Sequence, residues 1–113
     1  MTFESLKIEM PLLKALKDKG YETPTPIQEQ AIPQILNKKD ILGCAQTGTG
    51  KTAAFCIPII QRITEIEGNN KGKPVIRSLI LTPTRELAIQ ISDNIRAYAK
   101  HTNIKHAVIY GGV

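Results

Sequence analysis

Between Ala45 and Thr52 the chain reads Ala45-Gln46-Thr47-Gly48-Thr49-Gly50-Lys51-Thr52. These residue types, in this order, suit the binding of a polyphosphate. A triphosphate needs dense, fixed donors, and a turn that aims successive backbone N–H groups inward supplies them. A helix leaving the turn adds the positive end of its dipole. Gly48 and Gly50 let the backbone bend and approach closely. Lys51 brings a point charge to the β- and γ-phosphates, and the Thr52 hydroxyl is a ligand suited to Mg²⁺. The general pattern is G-x-x-x-x-G-K-[ST], and here Ala45 takes the first place. Locally, a Gly- and Thr-rich turn with an incidental Lys-Thr pair would look the same. The flanks favour the phosphate loop, because the motif requires a strand before it and a helix after it.

The surrounding pattern supplies both. Asp40 to Ala45 is a short apolar run, read as a buried strand over Ile41–Cys44. Lys51 to about Ile66 reads as a helix bent near Pro58. Glu67 to Pro74 is a surface loop. Val75–Thr82 is a second strand. Thr84 to about Lys100 is an amphipathic helix with Leu87, Ile91, Ile95 and Tyr98 on one face. Lys105–Tyr110 is a third strand, closed by Gly111-Gly112. Upstream, Pro11–Lys19 is a helix stopped by Gly20. A second helix opens at Thr25-Pro26-Ile27-Gln28, with Thr25 as N-cap, and Pro33 should kink or restart it. Strand–helix–strand–helix–strand predicts an α/β fold with a parallel sheet and right-handed crossovers.

The 113 residues carry a net charge of +5 and a pI of about 9.4, with 42% hydrophobic and 22% charged residues. This composition is ordinary for a globular domain, and the charge suits a polyanionic partner as well as a Lys-rich surface. No apolar run approaches the roughly 20 residues of a membrane span. The N-terminus has no basic segment followed by an apolar block. Cys44 and Cys56 sit in apolar surroundings without a Cys/His cluster, so they read as small buried hydrophobes of a reduced, cytoplasmic chain. Lys38-Lys39, Lys71 and Lys73 read as solvated surface, and His101 and His106 as surface and strand positions.

Four segments together resemble DEAD-box RNA helicases, most of all bacterial members. Ala45–Thr52 is similar to motif I, where an initial Ala is usual in that family. Gly20-Tyr21-Glu22-Thr23-Pro24-Thr25-Pro26-Ile27-Gln28 resembles the Q motif, and Phe3 stands 17 residues before Gly20, at the place of the family's isolated aromatic. Pro83-Thr84-Arg85-Glu86-Leu87 resembles motif Ia, and Gly111-Gly112 the GG motif. The resemblance runs from Phe3 to the last residue. It implies a P-loop, RecA-like sheet flanked by helices, incomplete here. Residues 1–113 would be part of the first helicase domain, with a Q-motif region at 1–29 and the phosphate loop at 45–52.

The resemblance also implies roles. ATP with Mg²⁺ would be the bound nucleotide. Gln28 would hydrogen-bond the edge of adenine, Tyr21 would lie against the base, and Phe3 would pack near it. A carboxamide offers one donor and one acceptor to match adenine N6–H and N7. Gln28 equally completes a capping box with Thr25, which needs no ligand, and both roles could hold in different states. Pro83, Thr84, Arg85, Gly111 and Gly112 would contact RNA phosphate, without reading base edges. The rival account of Thr84 and Arg85 is a capped helix with the guanidinium in solvent or paired to Glu86.

The family's Asp-Glu-Ala-Asp tetrad and its Ser-Ala-Thr motif do not occur in the 113 residues. The metal carboxylate, the general base and the second domain's arginines are therefore missing, and an arginine finger alone is worth orders of magnitude in rate. The expectation is an N-terminal piece of a longer ATP-dependent RNA helicase, inactive by itself. Its unpaired strand edges would invite self-association. Two other readings are a non-catalytic ATP- or RNA-binding module and a different P-loop enzyme such as a small kinase. A kinase would leave Tyr21, Gln28 and Pro83–Leu87 unexplained.

Overall fold

The computed structural model describes residues 2–43, 50–69 and 75–110. Within them lie a 3₁₀ turn at Glu4–Leu6 and four α-helices: α1 (Met10–Asp18), α2 (Pro26–Leu36), α3 (Lys51–Asn69) and α4 (Arg85–Tyr98).

Helices α1, α2 and α4 begin at recognisable chemical signals. Helix α1 starts at the Met10-Pro11 step, where proline's missing N–H costs nothing. Its buried stripe is Leu12, Ala15 and Leu16. It ends in a Schellman arrangement: the Gly20 N–H donates to Lys17 O and the Tyr21 N–H to Leu16 O, both at 2.9 Å. Gly20 takes φ +80°, as a left-handed stop requires. Helix α2 opens on the expected capping box of Thr25 and Gln28 with Pro26 at the first turn. Pro33 does not divide it, and the helix continues to Leu36. Pro58 likewise lies inside α3. Helix α4 is capped by Thr84, whose Oγ1 accepts from Leu87 N at 3.1 Å.

The core gathers Phe3, Leu6 and Ile8 of the N-terminal segment, Leu12 and Leu16 of α1, and Ile32 of α2. Ala53, Cys56, Ile57 and Ile60 of α3, Ile91 and Tyr98 of α4 and Ala99 just after it complete the core. Helix α2 packs most extensively along α3, while α4 touches both α3 and α1.

The expected parallel sheet is not seen among the described residues. Among the described residues no strand is present: 41–43, 75–82 and 105–110 form no ladder. Cys44 lies outside the described residues. The apolar side chains that a sheet would have buried stand in solvent, with Leu42 93% and Ile109 91% exposed and Ile76, Leu79 and Leu81 similarly open. A strand exists only through pairing with a neighbour, and these segments have none among the described residues. Among those residues, too, no helix is long and apolar enough to cross a membrane.

Candidate nucleotide site and nucleic-acid interface

The start of α3 is the described end of the expected phosphate loop. Gly50 takes φ +84°, Lys51 is the first helical residue and exposed, and Thr52 follows, half-buried. Ala45, Gln46, Thr47, Gly48 and Thr49 lie outside the described residues. The N–H groups of the first helical turn, which have no intrahelical partner, are what an anion would meet at a helix N-terminus.

Gln28 joins α2 to this point. Its side chain is 3% exposed. The Oε1 atom accepts from Thr25 N at 2.9 Å, and the Nε2 donates to Gly50 O at 3.3 Å. The capping box therefore forms, and the same carboxamide reaches the loop. A carboxamide holds two donors and two acceptor positions. Among the described residues one of each is engaged, which leaves one donor and one acceptor position without a partner there. A Cβ on Gly50 would collide with Gln28 Nε2 and come within 3.1 Å of Thr25 Oγ1. Glycine at position 50 is thus required by its left-handed φ and by the close approach of the Q-motif side chain.

A second cluster lies where α1 and α4 end. The Tyr21 and Tyr98 rings stand 6.4 Å apart, tilted by 51°. Lys19 Nζ lies 5.6 Å from the Tyr21 ring centre and 5.4 Å from that of Tyr98. Tyr21 is 38% exposed and Tyr98 2%. Burial, then hydrogen bonding to Tyr21, pushes the Tyr98 phenol well above its ordinary range. The Asp18 carboxylate takes His101 Nε2 at 2.8 Å and Lys100 Nζ at 3.0 Å. These two partners, His101 foremost, hold its pKa below the usual value. Phe3 is almost fully enclosed and belongs to the core, so its ring supports the N-terminal segment from within.

The third cluster concerns motif Ia. Thr82 Oγ1 donates to Thr84 O at 3.0 Å, and Thr84 caps α4. The Arg85 guanidinium carbon stands 5.4 Å from the centre of the Tyr110 ring. Tyr110 immediately precedes Gly111 and Gly112, which lie outside the described residues. The capped helix of the local reading is therefore present, and Arg85 lies over an aromatic face.

The DEAD/DEAH box helicase model matches residues 25–113. This chain belongs to that family. Over 112 residues, 99% of this chain, it is 52% identical to the ATP-dependent RNA helicase SrmB of Escherichia coli K12, covering 25% of that protein. The DEAD-box ATP-dependent RNA helicase RhpA of Helicobacter pylori B128 is 47% identical, over 98% of this chain and 21% of RhpA. Among solved structures, a DEAD box protein from Methanococcus jannaschii superposes with a TM-score of 0.88 at 46% identity. All of this chain and 30% of that one are covered. The RNA helicase Prp28 from Chaetomium thermophilum, solved with ADP, gives a TM-score of 0.85 at 38% identity. The chain thus spans about a quarter of the length of the DEAD-box relatives it matches.

One residue of structural weight in this DEAD-box chain was not singled out from sequence. Gln61 on α3 is buried. Its Nε2 donates to Lys7 O at 2.9 Å and its Oε1 accepts from Glu9 N at 2.9 Å. It staples the N-terminal segment to the helix that leaves the phosphate loop. The signal was there: a lone carboxamide following Ile57, Ile59 and Ile60, on the face shared with Ile57. Cys56, five residues earlier, is buried. Burial raises its thiol pKa to about 12, far from the thiolate that chemistry needs.

Proposed function

We propose that these residues form the nucleotide half-site and part of the RNA-contacting edge of an ATP-dependent RNA helicase. The observation that carries this is the Gln28–Gly50 hydrogen bond, which ties the adenine-recognition segment to the phosphate loop. Family membership and the ATP-dependent RNA helicases among the relatives support it.

In this reading Ala45 to Thr52 wraps the phosphates and Lys51 neutralises the β- and γ-phosphates. The spare donor and acceptor of Gln28 meet adenine N7 and N6–H, while its other valences keep the capping box. Tyr21 lies against the base, and Phe3 fixes the segment from the core side. The Thr52 hydroxyl, half-buried in the first turn of α3, suits Mg²⁺, which takes few protein ligands alongside phosphate oxygens and water. The metal would supply charge neutralisation on the phosphates. Pro83, Thr84 and Arg85 at the start of α4, with Gly111 and Gly112, contact RNA phosphate irrespective of sequence. Unwinding coupled to ATP hydrolysis, in the cytoplasm, is the activity of the full-length protein. The RecA-like parallel sheet would form there from the segments 41–44, 75–82 and 105–110. The 113 residues alone carry no Asp-Glu-Ala-Asp tetrad and would not turn over ATP. Their exposed Leu42, Ile76, Leu79, Leu81 and Ile109 would drive self-association.

RNA-stimulated hydrolysis of Mg-ATP by the full-length protein tests this reading, with Lys51→Ala as the control. Loss of turnover in that variant is expected. Undiminished turnover would overturn the assignment of the loop. Fluorescent ATP competed against GTP, with and without Gln28→Ala, tests the adenine contact.

A further inference from the structure

We propose that Tyr98 and Lys19 are positioning residues for the adenine base, acting by holding the ring of Tyr21 in one orientation. The proposal rests on the reading of Tyr21 as the residue that lies against the base.

Tyr21 is restrained at both its backbone and its ring. Its N–H closes the Schellman turn on Leu16 O, which fixes where the side chain leaves the chain. Its ring then meets Tyr98, with the centroid distance and tilt of a favourable aromatic pair. Lys19, on the preceding turn, lies within cation–π range of both rings. Tyr98 is buried and Tyr21 is not. The pair therefore has one ring anchored in the core and one available to a ligand.

The anchor is itself held. Tyr98 is the last residue of α4. The chain just after it is tied to α1 by Asp18, which binds both Lys100 and His101. Tyr21 leaves the end of α1, so both ends of the aromatic pair are referenced to one junction. A free tyrosine must be ordered when a base stacks on it. Ordering before binding removes a cost equivalent to roughly a two- to tenfold change in affinity for one side chain.

The test uses the full-length protein. Affinities for Mg-ATP and for magnesium tripolyphosphate, which lacks a base, are measured by competition with a fluorescent nucleotide. Lys19→Met keeps the aliphatic stem and removes the charge. Tyr98→Leu removes the ring, and Tyr98→Phe keeps it. The expected result is a loss of roughly two- to tenfold in ATP affinity for Lys19→Met and Tyr98→Leu. Tripolyphosphate affinity is unchanged, and Tyr98→Phe recovers most of the loss. Equal weakening of both ligands would make the residues merely structural and overturn the proposal. If Tyr98→Leu fails to fold, the exposed Lys19→Met decides: ATP affinity equal to the parent's sinks the idea. Tyr21→Ala separates the two levels. If it leaves the ATP-to-tripolyphosphate ratio unchanged, the adenine role of Tyr21 fails and the proposal with it. If the ratio falls while Lys19→Met stays silent, only the positioning role fails.

Discussion

Gln28 Nε2 donates to the carbonyl of Gly50 across 3.3 Å, so the N-terminus of α2 and the N-terminus of α3 are joined by one side chain. The bond spans 22 positions in sequence. It places a carboxamide whose geometry can read a base beside a loop that can hold phosphates.

Gly50→Ala should damage both halves of this junction. The left-handed φ of +84° costs a non-glycine residue about 1–2 kcal/mol. The added methyl also displaces Gln28. The expected outcome is a fall in thermal midpoint together with loss of ATP affinity. Gly20→Ala is the control: φ is +80°, but nothing lies within 4 Å of the new Cβ. It should lose stability while leaving the Gln28–Gly50 junction intact, so affinity for magnesium tripolyphosphate should hold, as thermal melts and tripolyphosphate competition would reveal.

Thr25→Val removes the cap acceptor and spares the carboxamide. It should cost about 1 kcal/mol and retain preference for ATP over GTP. Gln28→Ala should show a similar stability loss and abolish the preference. Urea unfolding beside nucleotide titration distinguishes them, and a Thr25→Val protein without adenine preference would contradict the division of roles.

Gln61→Leu conserves approximate volume but orphans Lys7 O and Glu9 N. An unsatisfied buried group costs about 1–3 kcal/mol; both bonds are part-buried, so a total loss toward the low end of about 2–6 kcal/mol in denaturant titration is expected. Gln61→Glu keeps an acceptor for Glu9 N and loses the donor to Lys7 O. It should be damaging at neutral pH and milder in acid.

Two carboxylates at the ends of α1 respond to pH in opposite senses. Asp18 is depressed by His101 and Lys100. Its contribution is present above the ordinary carboxylate pKa and is lost as pH falls through the depressed value. Glu9 is raised by burial and by Glu65. Its contribution is present below its ordinary value and is lost as pH rises through the raised one. Asp18→Asn should therefore lower the thermal midpoint near neutrality and converge with the parent in acid. Glu65→Gln should raise it slightly near neutrality and converge likewise. Melts stepped downward in pH from about 7 follow both windows.

What the sequence could reveal depended on the range of the interaction. Thr25-Pro26-Ile27-Gln28 announced a capped helix because every bond in the motif spans a few residues. Gly20 announced a helix stop for the same reason. The family was legible because the strings that resemble motif I, the Q motif and motif Ia are contiguous. The expected strands at 41–44, 75–82 and 105–110 were not realised among the described residues. A helix closes its hydrogen bonds within itself, whereas a strand needs a partner brought from elsewhere. Apolar periodicity marks what such segments would bury but cannot provide the neighbour.

The sequence by itself determined where α1, α2 and α4 lie, the capping box that opens α2 and the membership in the DEAD/DEAH box family. Only tertiary structure decided that Gln28 would reach Gly50, that Gln61 would staple Lys7 and Glu9 to α3, and that Tyr98 would stand behind Tyr21. These contacts join residues distant in the chain, and their geometry is set by how α1, α2, α3 and α4 pack around one core.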